Sequence, residues 1–325
     1  MQALASALQG RKLFVTGGTG FVGRSLLDVL HTLATQDAAR FHVTVLSRDP
    51  AGFLARHPHY ARLPWLSFLQ GSLSQWPAVN APFTDVLHAA ADTHHQGNDI
   101  AWTDQIVQGT RRALDFAVAV GAQRFLMVSS GAVYGPQPDH LPCMPEDHAG
   151  APPTTSAHST YGQAKRMAEQ LCTLYAQAHG LQTVIARCFA FGGAHLPHDG
   201  PYALGNFVRD ALSADIPALR VKGDGRAVRS YLDSEEMAVW LLTLLRRGQA
   251  GEAYNVGSDQ GVSMLSLAQT VASVLAPHKD VVVEGQATAS AARSLYVPCV
   301  AKAAGLGLVP QRSLQDIIRR SQSPG

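Results

Sequence analysis

Tyr161 and Lys165 stand four residues apart in Tyr161-Gly162-Gln163-Ala164-Lys165, so a helix starting there puts a phenol and an ammonium on one face. A cation beside a phenol stabilises the phenolate and lowers its pKa from about 10, so that the hydroxyl can exchange a proton with a carbinol near neutral pH. Ser130 offers a second hydroxyl for the same substrate oxygen. A Tyr/Lys pair by itself is common surface decoration. Its meaning depends on the elements that position it.

Those elements alternate. Lys12–Thr16 is a short apolar run ending in glycines, and apolar residues at helical spacing follow over 21–33, which predicts strand, tight turn and helix. Further buried strands are read at 41–47, 66–70, 85–89, 125–129 and 183–187. Long amphipathic helices are read at 102–120 and 161–179, closed by Gly121 and Gly180. Strands apolar on both faces and alternating with helices predict a parallel sheet covered on both sides. Ser130 then falls at the C-terminal end of a strand, where such sheets bind ligands.

Past about residue 190 the texture changes to Gly/Pro-rich loops and separated helices at 204–214, 234–247 and 263–275. The predicted fold class is α/β, a Rossmann-type doubly wound parallel sheet with a smaller C-terminal domain. The expected boundaries are 1–180 for the dinucleotide-binding domain and 181–325 for a mainly substrate-binding domain, with some of its segments returning to the first. The Pro-, Thr-, Ser- and His-rich stretch at 135–160 reads as a functional loop beside the site.

Bulk properties exclude whole classes of partner. The 325 residues include 15% charged and 46% hydrophobic ones and carry a net charge of +2 without runs of either sign, so no long disordered segment and no footprint for nucleic acid or anionic lipid is visible. A small molecule is the expected partner. No stretch approaches the apolar length of a membrane span, and no secretory leader is recognisable. Cys143, Cys172, Cys188 and Cys299 are scattered without a CxxC pair, which reads as free thiols in a reducing cytosol, hence a soluble, cytoplasmic protein.

Val15-Thr16-Gly17-Gly18-Thr19-Gly20-Phe21-Val22-Gly23 follows the first strand and opens the first helix. Gly17 permits a sharp turn, Gly20 allows the backbone to approach a pyrophosphate, and Gly23 allows close helix packing, while the helix N-terminus presents unpaired N–H groups. A glycine-rich turn without a ligand is the plain alternative, and position and spacing speak against it. The second strand ends Leu46-Ser47-Arg48-Asp49, with Ser47 where an acidic residue usually takes the ribose 2′-hydroxyl. Serine and a guanidinium suit a 2′-phosphate, so NADP is favoured over NAD. The alternative left open is that Asp49 makes the ribose contact after a one-residue shift.

With these motifs in place, the chain resembles the extended short-chain dehydrogenase/reductase family of nucleotide-sugar epimerases, dehydratases and reductases. The resemblance rests on the glycine turn, His88-Ala89-Ala90-Ala91, Val128-Ser129-Ser130-Gly131-Ala132-Val133-Tyr134-Gly135, Tyr161 to Lys165, Gly223-Asp224-Gly225, Arg229 and Gly305-Leu306-Gly307. It implies Tyr161 as acid/base, Lys165 on the nicotinamide ribose and Ser130 on the reacting oxygen. It also places Phe21, Val22, Ala89 and Ala90 beside the cofactor, and Arg229 and Arg293 on the sugar-nucleotide diphosphate. His94, in the loop after the fourth strand, falls near the sugar, and the helices at 102–120 and 161–179 resemble those of a family homodimer.

The departures narrow the chemistry. Gly131 and Ala132 stand where the 4,6-dehydratases carry an acid pair, and neither transfers a proton, which disfavours dehydration and the decarboxylation that keeps a glutamate there. Ile106 and Ala190 replace two usual asparagines, with Asn206 a substitute for the second, and Ser72 stands where an aspartate often meets the adenine. Cys143, Glu146 and His148 lack the spacing of a zinc site, and no metal is expected. The expectation is hydride transfer between NAD(P) and a nucleotide-activated sugar, at C4, with a 4-ketoreductase slightly ahead of a 4-epimerase. A non-catalytic NAD(P)-sensing protein is the alternative from another class.

Overall fold

The computed structural model describes residues 1–79, 81–90, 99–286 and 294–323. Helix α1 (Gln2–Leu8) leads into β1 (Lys12–Thr16), the glycine turn and α2 (Phe21–Gln36). There follow β2 (His42–Ser47), α3 (Pro50–Arg56), β3 (Leu66–Gln70), β4 (Asp85–His88), α4 (Asp99–Ala119), β5 (Arg124–Ser130), α5 (Thr160–His179) and β6 (Gln182–Cys188). The later chain forms β7 (Ala190–Gly192), α6 (Ala203–Leu212), β8 (Ala218–Val221), β9 (Val228–Asp233), α7 (Ser234–Arg247), β10 (Ala253–Val256) and β11 (Gly261–Ser263). It closes with α8 (Met264–Leu275), β12 (Asp280–Val283), β13 (Leu295–Tyr296), α9 (Ala301–Ala304) and α10 (Leu314–Arg320).

The central sheet has seven strands in the order β10-β6-β5-β4-β1-β2-β3. The pairs β1/β2, β1/β4, β2/β3 and β4/β5 are parallel, as apolar runs separated by helices require. Buried Phe14, Phe83, Phe116 and Phe125 fill the layer between the sheet and α4, and Ala164, Ala168 and Cys172 of α5 close the same core. This is the doubly wound parallel architecture expected of the sequence. Several bounds coincide with those read from periodicity alone, among them Lys12–Thr16, Leu66–Gln70 and Ser234–Arg247.

The chain folds as two compact units. The first comprises 1–133, 151–187 and 238–254, and the second comprises 134–150, 188–237 and 255–325. Within the second, β9 pairs with β7, β11 and β13, and β8 pairs with β12. Helix α10 is held to this unit by charge: Arg312 and Arg320 both bond Asp233 and Glu235, and the Asp233 side chain is fully buried.

The expectation of four free thiols is overturned. Cys143 and Cys299 form a disulfide across 156 residues with Cα atoms 4.9 Å apart, and Cys172 and Cys188 are the buried free thiols. Main-chain pairing brings the partners together, since Met144 N–H donates to Val297 O (2.7 Å) and Cys299 N–H to Met144 O (2.9 Å). Buried Asn255 donates to Met144 O and Cys299 O and accepts from the Tyr134 hydroxyl. No sequence spacing reports such a tertiary approach. A reducing compartment therefore no longer follows from the thiols.

Candidate functional site

In the first unit the glycine turn is packed as its spacing predicts. Gly17 has φ +75°, and a Cβ there would sit 2.7 Å from Ala89 C and Ala90 N, so the turn lies directly on the chain leaving β4. Gly23 is crowded equally, with Gly18 Cα 2.3 Å from where its Cβ would be. Gly20 differs: its Cβ would meet nothing nearer than 3.7 Å, so packing inside the protein does not demand glycine there. Gly20 caps the 16-residue α2, whose first turn holds Phe21 and Val22. The space beside Gly20 at a helix N-terminus fits a pyrophosphate.

Beneath the turn runs a chain of polar side chains that the sequence reading missed. Ala90 N–H donates to Thr16 Oγ1 (3.2 Å), and Thr16 Oγ1 lies 2.8 Å from His88 Nδ1. His88 Nε2 lies 3.2 Å from Thr110 Oγ1, which donates to Ile106 O (2.8 Å). Because Thr110 gives its proton to the carbonyl, it accepts from His88 Nε2–H, and Nδ1 accepts from Thr16. Burial, then the nearby Lys165 ammonium, push the His88 pKa down to about 3, so the imidazole is neutral. This route supplies a helix-to-strand contact at the place where Ile106 replaces the usual asparagine.

At the end of β2, Ser47 is buried and Arg48 is exposed with no hydrogen bond or ion pair among the described residues. Asp49 is the N-cap of α3, its carboxylate accepting from Gly52 N–H at 2.9 Å. Ser72 is engaged locally with Ser74 and Gln75.

Lys165 is buried and donates to Val128 O (2.9 Å), tying α5 to β5 two residues before Ser130. Its ammonium lies 5.9 Å from the centre of the Tyr161 ring. The start of α5 lies against the chain beyond Ser130, because a Cβ on Gly162 would be 2.6 Å from Ala132 O. Ser130 Oγ accepts from Ala132 N–H (3.2 Å). Tyr161 is stacked on Trp102 of α4 with ring centres 5.2 Å apart and planes 17° from parallel. One helical turn beyond Lys165, Glu169 is bound by Ser129 Oγ (2.5 Å) and by Arg187 (2.8 Å). Glu169 had a sequence signal, the i, i+4 spacing from Lys165; its partner Arg187 had none.

In the second unit, Arg229 donates to Val228 O, Ser294 O and Ser294 Oγ, and its guanidinium lies 5.7 Å from the centre of the Tyr296 ring. Asn206 has both ends of its amide engaged, donating to Gly200 O (3.0 Å) and accepting from Arg209 (3.2 Å). His94 and Arg293 lie outside the described residues. Among the described residues no cluster of three or more His, Cys, Asp or Glu is placed to hold a metal ion, and no helix is long and apolar enough to cross a membrane.

The family model for NAD dependent epimerases and dehydratases matches residues 13–257. The chain belongs to that family. It is 28% identical over 318 residues to the low-salt glycan biosynthesis protein Agl12 of Haloferax volcanii, covering 94% of this chain and 95% of that one. It is also 28% identical to UDP-glucuronic acid decarboxylase 2 of Arabidopsis thaliana, over 84% of this chain but 59% of that relative's length. Among solved structures, DesIV of Streptomyces venezuelae, a dTDP-glucose 4,6-dehydratase with NAD and TYD bound, superposes with a TM-score of 0.78 at 25% identity over 96% of this chain and 95% of that one. RMD of Pseudomonas aeruginosa, complexed with NADPH, gives a TM-score of 0.74 at 23% identity over 96% and 97%. The family is described as NAD dependent, and the dehydratase and decarboxylase named above act on a dTDP sugar and a UDP sugar.

Proposed function

We propose that this family member is an NADP(H)-dependent enzyme acting at C4 of a nucleotide-activated sugar, a 4-ketoreductase in preference to a 4-epimerase. The observation that carries the reading is the arrangement of Tyr161, Lys165 and Ser130 at the ends of β5 and α5. A nicotinamide dinucleotide, when bound, supplies or accepts the hydride. Gly17, Gly20, Phe21, Val22 and Gly23 hold its pyrophosphate, with Ala89 and Ala90 alongside. Tyr161 gives a proton to the reduced oxygen, Ser130 donates a hydrogen bond to that oxygen, and Lys165 stabilises the phenolate that the transfer leaves, which solvent then reprotonates. Arg229, Arg293, Asn206 and His94 belong to the substrate side, the first unit serving as dinucleotide domain and the second as substrate domain.

NADP is preferred because Asp49 is committed to capping α3 while Arg48 keeps its charge unpaired, which suits a 2′-phosphate and leaves no carboxylate for a 2′-hydroxyl. Gly131 and Ala132 argue against dehydration. A homodimer through α4 and α5 is supported by Met167 and Leu174, seven residues apart on α5 and each nearly half exposed. Isothermal titration with NADP and NAD tests the cofactor, and equal or tighter NAD binding overturns the preference. Native mass spectrometry of the purified protein separates the two reactions: a stoichiometric retained dinucleotide would favour the epimerase.

A further inference from the structure

We propose that Trp102 is the positioning residue of the Tyr161 phenol. The inference rests on the reading of Tyr161 as the proton donor. Tyr161 occupies the second position of α5, one helical turn before Lys165, whose ammonium faces its ring. A constraint on the ring itself comes from α4: the indole of Trp102 lies nearly parallel to the phenol ring at 5.2 Å between centres. With one face covered, the ring cannot swing about its χ torsions without breaking the stack, so the hydroxyl keeps one direction. The indole also shields that face from water, which strengthens the influence of the Lys165 ammonium 5.9 Å from the ring centre.

The support for the indole is rigid. Helix α4 is fixed to β4 two turns beyond Trp102, where Thr110 takes the His88 Nε2 proton and gives its own to Ile106 O. The helix that positions the phenol is thereby tied to the strand whose end underlies the glycine turn. Proton transfer is sensitive to displacement on this scale, since a misplacement of about 1 Å can reduce turnover roughly 100-fold. Binding of substrate and cofactor does not require the phenol to point in one direction.

The test has a spectroscopic arm and a kinetic arm. Emission from the four tryptophans of the apoprotein is titrated with pH in wild type, Trp102→Phe and Tyr161→Phe. Quenching of an indole by a phenolate in contact with it predicts a titration in the wild type that is absent from both variants. Kinetics are then read on whichever of UDP-galactose, UDP-glucuronate, a dTDP-4-keto-hexose or a GDP-4-keto-hexose is turned over. Trp102→Ala is expected to lower kcat about 10- to 100-fold with KM and NADPH affinity within about threefold, and Trp102→Phe to restore kcat to within about threefold of wild type. An unchanged titration in Trp102→Phe, or an unchanged kcat in folded Trp102→Ala, overturns the proposal. Activity surviving Tyr161→Phe would instead overturn the reading of the phenol as acid/base, whatever the stack does.

Discussion

The phenol end of the first unit and the C-terminal clamp of the second both bury polar and charged groups, and they balance them differently. In the clamp, Asp233 and Glu235 each meet both Arg312 and Arg320, so charges cancel between neighbours and the outcome is a fixed α10. Around the phenol, Lys165 donates to the Val128 carbonyl, a dipole that orients the ammonium, and His88 is neutral between two threonines. Arg229 is held by dipoles, as Lys165 is, although it sits in the second unit, since its partners are carbonyls, a hydroxyl and an aromatic face. A cation held by dipoles can still attract an anion, whereas a cation paired with a carboxylate mainly fixes structure. The first unit also keeps an ion pair of the structural kind, Glu169 with Arg187, one turn beyond the lysine.

Substitution in the two regions should therefore separate turnover from stability. Tyr161→Phe should lower kcat by about 10²- to 10⁴-fold, the usual contribution of a positioned acid/base, with the thermal midpoint nearly unchanged. Full turnover in that variant would remove the functional side of the comparison. Asp233→Ala should do the reverse. Removing the buried carboxylate leaves two guanidiniums facing one residue, at a cost of about 3–5 kcal/mol in the denaturant unfolding of the second unit. NADP affinity measured by titration should not move, and a large loss of affinity would show that the clamp serves the cofactor as well.

What could be read in advance divides along the same line. Local periodicity and punctuation located β1, β3, α7 and the glycine turn because each is specified by residues adjacent in sequence. Tyr161 and Lys165 were visible because a helix converts spacing into a shared face. The polar chain through Thr16, His88 and Thr110 was not, because its members are 72 and 22 residues apart and only the sheet and α4 bring them together. Arg187 was missed for the same reason, whereas its partner Glu169 shares the helical spacing of Tyr161 and Lys165 and could have been read from it. Cys143 and Cys299 gave a misleading signal, because sparse cysteines resemble free thiols until the backbone pairs Met144 with 297–299.

The disulfide also tests the second unit, whose segment 134–150 it ties to the chain after β13. Closing a loop of 156 residues restricts the unfolded chain, and Cys143→Ser should cost about 2–4 kcal/mol, read as a shift in the denaturant midpoint that a dithiol reproduces in the wild type. Alkylation of denatured, unreduced protein should label Cys172 and Cys188 and leave Cys143 and Cys299 untouched. Labelling of all four would mean that Asn255 and the main-chain bonds of Met144 hold these segments alone.

His88 gives the smallest effect per unit change and the most direct reading of how the first unit handles charge. In the unfolded chain it takes a proton near pH 6.5, whereas burial and the Lys165 ammonium hold it neutral in the native state down to about pH 3. The folded pKa is thus below the unfolded one, and below pH 6.5 the unfolded state binds the extra proton. The stability this residue contributes is intact above pH 6.5 and declines as pH falls toward 3, with a limiting slope of about 1.4 kcal/mol per pH unit. Between pH 6.5 and 5 most carboxylates are still ionised, so the decline there can be separated from general acid unfolding. Urea unfolding across that window should show the slope in wild type and a flatter profile in His88→Asn, which keeps a donor and an acceptor but does not titrate. Equal slopes would mean that the imidazole takes a proton in the native protein as it does in the unfolded chain, and Nδ1–H would then donate to Thr16 Oγ1 in place of accepting from it.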